Sequence, residues 1–312
     1  MKRALVTEMM DEEGLAVLRE HLDVVYDPAL GTDGRLPDAV AAAHVFVVRN
    51  RTRVTRELLD RAPHLEAIGR LGVGLDNIDL TAARARGIPV IAAKNANAAA
   101  VAEYVFAAML LVSRPLAAAT AHVLRGGWDR GAFGGSELQG KTIGLIGVGE
   151  IGTRVALRAK AFAMRVLAYD PFVAPYDLAM ADAGVELCLL DELFANAHFI
   201  SIHVPLTDRT RHMIAAREIG RMRPDATVIN ASRGGVIDEA ALFAALSGRS
   251  IKAAVLDVLE EEPPTSIAPV EGLYLTPHVA GLTAEANRRT SLLVAREVLR
   301  VLAGEVSPCQ VR

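Results

Sequence analysis

The chain has 312 residues, of which 52% are hydrophobic and 23% charged, a composition typical of folded globular proteins that excludes a disordered chain. It carries 34 basic against 37 acidic residues, and the net charge of −3 lacks the basic excess that nucleic acids and anionic membranes attract. The two cysteines, Cys188 and Cys309, are too few for a disulfide framework or a metal quartet, so we expect a reducing cytoplasm and no metal. We expect neither a signal peptide nor a membrane span.

The first hundred residues alternate short apolar runs with helical patterns, which predicts right-handed crossovers and a mostly parallel sheet. The predicted strands are residues 3–7, 23–26, 45–48, 65–69 and 90–93. The helices predicted between them are residues 13–21, 37–43, 56–62 and 80–86. An alanine-rich segment, about 98–124, then predicts one long helix.

A second α/β series begins at Lys141, after a glycine-rich loop that contains Trp128. Its predicted strands are residues 142–146, 166–169, 199–203, 227–230, 253–256 and 273–275, and the last predicted helix is about 284–302. At roughly 100–200 residues per domain, the length and the two series predict two doubly wound α/β domains.

The strongest local motif follows the strand that ends at Ile146, where the chain reads Gly-x-Gly-x-x-Gly and then becomes helical. This spacing provides a tight turn, a close approach for a pyrophosphate and a helix N-terminus that attracts its charge. The expected cofactor contacts here are Gly147, Gly149, Glu150, Ile151 and Gly152. The next strand ends at Asp170, whose carboxylate can accept the ribose hydroxyls of NAD and would repel the phosphate of NADP. The alternative is a structural glycine turn beside a solvated aspartate.

Three polar residues follow three later strands, at the edge of an α/β sheet where ligands bind. Arg233 comes after the strand 227–230, Glu262 after 253–256 and His278 after 273–275. Taken singly, they have structural alternatives: a surface ion pair, a solvated acid and a packed loop histidine.

Together with the motifs Gly69-Arg-Leu-Gly-Val-Gly-Leu-Asp-Asn-Ile-Asp79, Asn97…Val101-Ala-Glu103 and His203-Val-Pro-Leu-Thr207, these residues carry a resemblance along nearly the whole chain. The chain resembles the D-isomer-specific 2-hydroxyacid dehydrogenases. The resemblance implies a Rossmann NAD-binding domain, residues 100–283, inserted into a flavodoxin-like substrate-binding domain, residues 1–99 plus 284–312. It also implies a homodimer through the NAD domain, with the long helix and the Trp128 loop at the interface.

The resemblance assigns roles to the three catalytic candidates. It implies that Arg233 binds the substrate carboxylate and 2-oxo oxygen, that His278 is the general acid in reduction and base in oxidation, and that Glu262 orients the imidazole. It places further residues at the cofactor, namely His203, Val204, Pro205, Thr207, Ala231, Ser232, Arg233, Asp257, His278 and Gly281. It places at the substrate Leu71, Gly72, Val73, Gly74 and Asn97, in addition to Arg233 and His278.

The first domain offers a hint about the far end of the substrate. Arg49 and Arg51 follow the third predicted strand, and Arg70 follows the fourth, so that they can hold a second anionic group. This favours a 3-substituted acid, as in the 3-phosphoglycerate and (S)-sulfolactate dehydrogenase branches. If the arginines instead pair with local acids, a generalist hydroxypyruvate or glyoxylate reductase is the alternative. A non-catalytic NAD(H)-sensing protein and a formate dehydrogenase rank below it.

Overall fold

A computed structural model of the chain describes residues 1–32, 35–174, 180 and 182–311. The chain forms two compact units, one comprising Met1–Asn97 with Leu282–Arg312 and the other Ala98–Gly281. The domain boundaries expected from the sequence, after residues 99 and 283, each lie two residues later than the boundaries between these units. Arg312, which ends the expected substrate-binding domain, lies outside the described residues.

The first unit is built on a parallel five-stranded sheet in the order β2-β1-β3-β4-β5, the flavodoxin-like order. Its strands are β1 (Arg3–Val6), β2 (Asp23–Tyr26), β3 (Val45–Val48), β4 (Ala67–Arg70) and β5 (Val90–Ala92). The helices between them are α1 (Glu12–Arg19), α2 (Leu36–Ala39), α3 (Arg56–Asp60) and α4 (Leu80–Ala85), with 3₁₀ turns at Leu30–Thr32 and Val40–Ala42. Each predicted strand is therefore present, with its ends shifted by two residues at most.

The predicted single helix over 98–124 is wrong. The second unit opens with α5 (Ala98–Ser113) and α6 (Leu116–Leu124), whose axes differ by 50°. Pro115 breaks the helix because its ring lacks an N–H group and disfavours helical geometry at the preceding residue. Among the described residues no single helix is long and apolar enough to cross a membrane, and only α5 and α6 together meet that length and composition.

The second unit contains a parallel seven-stranded sheet in the order β12-β11-β10-β9-β6-β7-β8, the Rossmann order with one strand added. Its strands are β6 (Thr142–Ile146), β7 (Arg165–Tyr169), β8 (Val185–Leu187), β9 (Phe199–Ile202), β10 (Thr227–Asn230), β11 (Ala253–Leu256) and β12 (Leu273–Leu275). Its remaining helices are α7 (Glu150–Ala161), α8 (Leu190–Asn196), α9 (Ala216–Ile219) and α10 (Glu239–Ser247). The sequence did not predict β8, a short strand at the sheet edge.

The chain then returns to the first unit with α11 (Ala284–Leu302), as predicted. Thr283 caps this helix by accepting a hydrogen bond from the Ala286 N–H group at 3.1 Å. The helix packs on α1 and β4, and a Cβ atom at Gly69 would lie 2.6 Å from Val294 Cγ1. The last helix therefore completes the core of the first unit.

Candidate active site

The glycine motif forms a close turn between β6 and α7. Gly147 has φ +92°, and a Cβ atom there would lie 2.9 Å from the carbonyl oxygen of His203. A Cβ atom at Gly152 would lie 2.3 Å from the Gly147 carbonyl oxygen, whereas one at Gly149 would meet nothing within 4 Å. The first and third glycines thus permit tight packing, and the second leaves the backbone open to a ligand.

The N-terminus of α7 provides donors for an anion. In the described part of the chain, the N–H groups of Gly149, Glu150 and Ile151 have no hydrogen-bond partner, and the helix dipole adds positive potential there. Asp170 ends the next strand and orders the loop, because its carboxylate accepts the N–H groups of Val148 and Phe172, each at 3.0 Å. Each oxygen keeps a further lone pair for a ribose hydroxyl. These features fit a dinucleotide.

The segment after β9 lies against the glycine loop. Burial lowers the pKa of His203 to about 4, so its imidazole is neutral near pH 7, and its Nε2 lies 3.0 Å from Ser201 Oγ. Val204 contacts the turn, since a Cβ atom at Gly147 would lie 3.0 Å from Val204 Cγ1. Farther along, Thr210 Oγ1 accepts the Thr207 N–H group at 2.8 Å and so fixes the loop.

His278 and Glu262 form a hydrogen-bonded pair. His278 Nδ1 lies 2.8 Å from Glu262 Oε2, and Glu262 Oε1 accepts the Leu259 N–H group at 3.0 Å. Burial raises the pKa of Glu262, but these hydrogen bonds and the charges of His278 and Arg233 outweigh it, so its pKa lies below the ordinary value. The carboxylate is therefore charged near pH 7, and Nε2 is the imidazole nitrogen left for a substrate.

Arg233 is positioned by the turn that follows β10. Asn230 is buried at the strand end; its Oδ1 accepts the Ser232 N–H group at 3.0 Å, and its Nδ2 donates to the Arg233 carbonyl oxygen at 2.9 Å. The next residue must be glycine, because a Cβ atom at Gly234 would lie 1.8 Å from the Leu259 carbonyl oxygen. This close approach joins the Arg233 turn to the segment that carries Glu262. Arg233, Glu262 and His278 are thus brought to the same edge of the sheet.

Asp257 holds the turn that carries His278. Its side chain is 1% exposed; Oδ1 accepts the Thr276 hydroxyl at 2.6 Å and the Val279 N–H group at 2.8 Å, and Oδ2 accepts the Ala280 N–H group at 2.8 Å. Its carbonyl oxygen accepts the His278 N–H group at 2.9 Å. His278 itself has φ +56°, an unfavourable conformation for a non-glycine residue that these bonds maintain.

The first unit contains the predicted glycine loop. Gly72 has φ +153°, and a Cβ atom there would lie 1.8 Å from Arg70 Nη1. The Gly72 N–H group donates to the Arg70 carbonyl oxygen at 2.8 Å, while those of Val73 and Gly74 have no partner in the described segments. Leu71 is buried in the core, so only its backbone is available to a ligand.

Asn97 ends the Met1–Asn97 segment of the first unit and is half-buried. Its Oδ1 is a buried atom that lacks a hydrogen-bond partner among the described residues.

The loop after β3 is organised by a buried carboxylate that the sequence did not single out. Glu8 is 1% exposed and accepts four successive N–H groups, those of residues 49–52, at 2.8–3.2 Å. Arg51 also faces Glu8, with its Nε 3.5 Å from Oε2, and donates to the Pro28 carbonyl oxygen at 3.2 Å. Arg49 differs, because its guanidinium donates to two neutral oxygens, Asn287 Oδ1 at 2.8 Å and the Met9 carbonyl at 3.4 Å.

Comparison with known proteins identifies the fold's family. Residues 106–280 match the model of the "D-isomer specific 2-hydroxyacid dehydrogenase, NAD binding domain". An (S)-sulfolactate dehydrogenase of Chromohalobacter salexigens is 44% identical over 97% of this chain and 99% of its own length. The chain belongs to the D-isomer-specific 2-hydroxyacid dehydrogenase family.

Two further comparisons agree with this family. A D-3-phosphoglycerate dehydrogenase of Methanocaldococcus jannaschii is 43% identical over 98% of this dehydrogenase, which spans 59% of that relative's length. A solved structure of a Thermus thermophilus protein superposes with a TM-score of 0.89 at 31% identity, covering 99% of this chain and 100% of that one. The dehydrogenase is an NAD-dependent oxidoreductase, as the match to the NAD-binding model indicates.

Several residues that shape the dehydrogenase's site were missed in the sequence. Gly234 directly follows Arg233, and Thr276 lies two positions before His278. The glycine directly after Arg233 was the available signal. Glu8 and Tyr104 carried no local signal, because their partners are distant in sequence. Among the described residues, no group of three histidine, cysteine, aspartate or glutamate side chains is arranged to hold a metal ion.

Proposed function

We propose that this dehydrogenase interconverts a small D-type 2-hydroxy acid and its 2-oxo acid, with a second anionic group on C3, as in 3-sulfolactate or 3-phosphoglycerate. The observation that carries the choice of substrate is the half-buried Arg49, whose guanidinium, among the residues that the structure describes, donates hydrogen bonds to neutral oxygens only. The Glu8 carboxylate attracts this charge, but the guanidinium makes no ion pair with it, so its N–H groups can turn to an anionic ligand. Arg51 is a weaker candidate because it already forms an ion pair with Glu8, whose Oε2 lies 3.5 Å from its Nε.

At the reacting end, His278 is the proton donor in reduction and the acceptor in oxidation. Glu262 holds Nδ1, so that Nε2 faces the 2-oxo oxygen, and its negative charge stabilises the imidazolium. Arg233 binds the carboxylate and stabilises negative charge on the reacting oxygen. NAD supplies or accepts the hydride at C2 when it is bound. Asn97 and the N–H groups of the Gly72–Gly74 stretch are proposed as further substrate contacts.

The second unit is proposed as the NAD-binding domain and the first as the substrate-binding domain. The unpartnered N–H groups at the start of α7 support pyrophosphate binding there, and Asp170 supports recognition of the ribose. The remaining proposed contacts lie in loops after β9, β10, β11 and β12: His203, Val204, Pro205, Thr207, Ala231, Ser232, Arg233, Asp257, His278 and Gly281. Of these, Asp257 acts through the turn it holds, since its oxygens already accept three hydrogen bonds.

The decisive experiment measures initial rates of NADH oxidation with 3-sulfopyruvate, 3-phosphohydroxypyruvate, hydroxypyruvate, glyoxylate and pyruvate. Arg49→Gln is expected to lower kcat/KM for the preferred 3-substituted anionic acid about 10- to 100-fold, the value of one charged hydrogen-bond pair. The kcat/KM for pyruvate, which lacks the second anionic group, should stay within about twofold of the wild-type value. The matched control is Arg53→Gln, an exposed arginine of the same loop.

The same assay separates the alternatives. Equal rates on all acids, unaffected by Arg49→Gln, would replace the anionic substrate with a generalist hydroxypyruvate or glyoxylate reductase. No turnover of any acid by protein that still binds NADH would instead indicate an NAD(H)-sensing binding protein.

We further propose a homodimer through the second unit. None of the side chains of α6 is buried, although the helix is apolar, and Leu124 and Trp128 are 81% and 80% exposed. Exposed apolar side chains in such number on one helix and the loop after it are characteristic of an interface between subunits. Light scattering should give a dimer for the wild type and a monomer for Leu124→Glu, whereas Leu189→Glu, another exposed leucine, should remain dimeric. A monomeric wild type would overturn the proposal.

A cytoplasmic location is the remaining proposal. It is supported by the two free cysteines, of which Cys309 is buried and Cys188 half-buried. Burial raises the pKa of both thiols, so they stay protonated and unreactive at neutral pH. Fractionation of the source cells, with activity recovered in the soluble cell extract, is the expected result, and recovery outside the cells would contradict it.

A further inference from the structure

A row of hydrogen bonds connects α5 with the turn that carries His278. The Tyr104 hydroxyl lies 2.6 Å from Thr276 Oγ1, and Thr276 Oγ1 donates to Asp257 Oδ1 at 2.6 Å. Because the single proton of Thr276 is directed to the carboxylate, the Tyr104 hydroxyl is the donor in its own bond. The row therefore runs in one direction, from Tyr104 through Thr276 to Asp257.

Tyr104 suits this role because it stays protonated. Burial raises its pKa, the hydrogen bond with Thr276 lowers it and the charge of Asp257 raises it again, with a net rise above the ordinary value. The hydroxyl is consequently a donor throughout the neutral range. Tyr104 is half-buried on α5, the 16-residue helix that opens this unit, so the position of its ring is fixed by packing.

The far end of the row determines the backbone of the catalytic turn. Asp257 binds the N–H groups of Val279 and Ala280 with its side chain and that of His278 with its carbonyl oxygen. His278 has a left-handed conformation that relaxes if these bonds weaken. Displacing the imidazole by about 1 Å is enough to cost about 100-fold in rate.

We propose that Tyr104 is a positioning residue for His278 and acts through Thr276 and Asp257. This inference rests on the proposed role of His278 as the proton donor. Among the described residues the Tyr104 hydroxyl hydrogen-bonds to Thr276 and to no group proposed to bind substrate, so its contribution is the orientation of the turn.

The test compares Tyr104→Phe, which removes only the hydroxyl, with Tyr274→Phe on the edge strand β12 as the matched control. Tyr104→Phe is expected to lower kcat about tenfold while leaving the KM of the oxo acid, the Kd of NADH and the unfolding temperature close to the wild type. Tyr274→Phe should leave all four unchanged. A positioning role predicts this split, because binding groups and overall stability are retained.

Two variants of the middle residue test the route. Thr276→Ser keeps the hydroxyl and should retain most of the wild-type kcat, whereas Thr276→Val should lose at least as much as Tyr104→Phe. The double variant Tyr104→Phe/Thr276→Val should be no slower than Thr276→Val alone, because the tyrosine then has nothing to act through. If Tyr104→Phe does not fold, the comparison of Thr276→Ser with Thr276→Val decides whether the hydroxyl row matters.

Three outcomes would overturn the inference: an unchanged kcat in Tyr104→Phe, losses that add in the double variant, or a parallel loss of kcat, NADH affinity and unfolding temperature. His278→Ala, measured in the same series, separates this failure from that of the proposed function. An inactive His278→Ala beside a fully active Tyr104→Phe removes only the positioning role. A fully active His278→Ala removes the proton donor and the inference with it.

Discussion

His278 Nδ1 and Glu262 Oε2 lie 2.8 Å apart, although the two residues belong to different loops, one following β12 and the other β11. These strands are neighbours in the sheet and run parallel, so their carboxyl ends deliver the two side chains to the same place. The pairing holds Nδ1 of the imidazole and leaves Nε2 for proton transfer with a substrate.

Replacing His278 with alanine is expected to reduce turnover by at least about 100-fold, because general acid catalysis contributes that much or more. The Kd of NADH, measured by fluorescence titration, should stay within about twofold of the wild type, since the glycine loop is unaltered. Turnover equal to the wild type would exclude His278 as the proton donor.

Glu262→Gln is expected to lower kcat about 10- to 100-fold, because a neutral amide no longer stabilises the imidazolium. The pKa of Glu262 lies below the ordinary value, so the carboxylate is ionised at every pH above about 4.3. The wild-type kcat profile between pH 5 and 9 should therefore show no step from this residue. Glu261→Gln, its exposed neighbour, is the control, and an equal loss in both variants would contradict the specific pairing.

Gly234→Ala should disturb the site without removing any functional group. The new Cβ atom would lie 1.8 Å from the Leu259 carbonyl oxygen, so the Arg233 turn must move away, at a cost of about 1–3 kcal/mol in stability. We expect a lower unfolding temperature and a raised KM for the oxo acid. Gly131→Ala, whose Cβ atom would meet its nearest neighbour at 3.4 Å, serves as the control. Equal behaviour of the two variants would show that the turn has room.

Asp170→Asn should weaken the discrimination against NADP, because the negative charge that repels the added phosphate is removed while the shape is retained. The ratio of kcat/KM for NADH to that for NADPH is expected to fall at least about tenfold. Asp182→Asn, an exposed aspartate of the same unit, should leave the ratio unchanged. A constant ratio in Asp170→Asn would assign the preference to another group.

Glu8 should make the stability of the first unit depend on pH. Burial raises its pKa, but the N–H groups of Thr52, Arg51 and Arg49 outweigh this and lower it. A lowered folded-state pKa stabilises the protein above the unfolded value of about 4.3, and this stabilisation is lost as the pH falls through the folded value.

The variant Glu8→Gln tests this directly. It should cost about 2–3 kcal/mol at pH 7, because an amide nitrogen then faces buried donors, and the difference from the wild type should shrink toward pH 3. Urea unfolding at several pH values measures it, with Glu12→Gln, an exposed residue of α1, as the control. A difference that does not depend on pH would assign the loss to packing.

The parts of the fold that the sequence could predict are those encoded by neighbouring residues. Apolar runs such as 142–146 and the cap at Thr283 carry their signal within a few positions. The spacing of the glycine motif likewise indicates the tight turn that it forms. The break at Pro115 was also encoded locally, but the helical propensity of the surrounding alanines masked it. The three-residue strand β8 is too short for a recognisable pattern.

The site shows the same division. Arg233, Glu262 and His278 could be found because each follows its own strand, and strand order determines where they meet. The bond between Tyr104 and Thr276 joins residues 172 positions apart, and no local pattern indicates it. The hydrogen bond between Arg49 and Asn287 likewise joins residues 238 positions apart, because α11 supplies Asn287.

The return of α11 to the first unit has a consequence for how the chain is made. The Ser291 hydroxyl accepts the Asp11 N–H group at 2.9 Å, and Val294 and Val298 are buried in the same core as Leu15 and Leu18 of α1. A ribosome therefore releases the beginning of this core long before its end, whereas Ala98–Gly281 emerges as one uninterrupted piece. The inserted unit can fold during synthesis, and the unit that surrounds it in sequence must wait for the final helix.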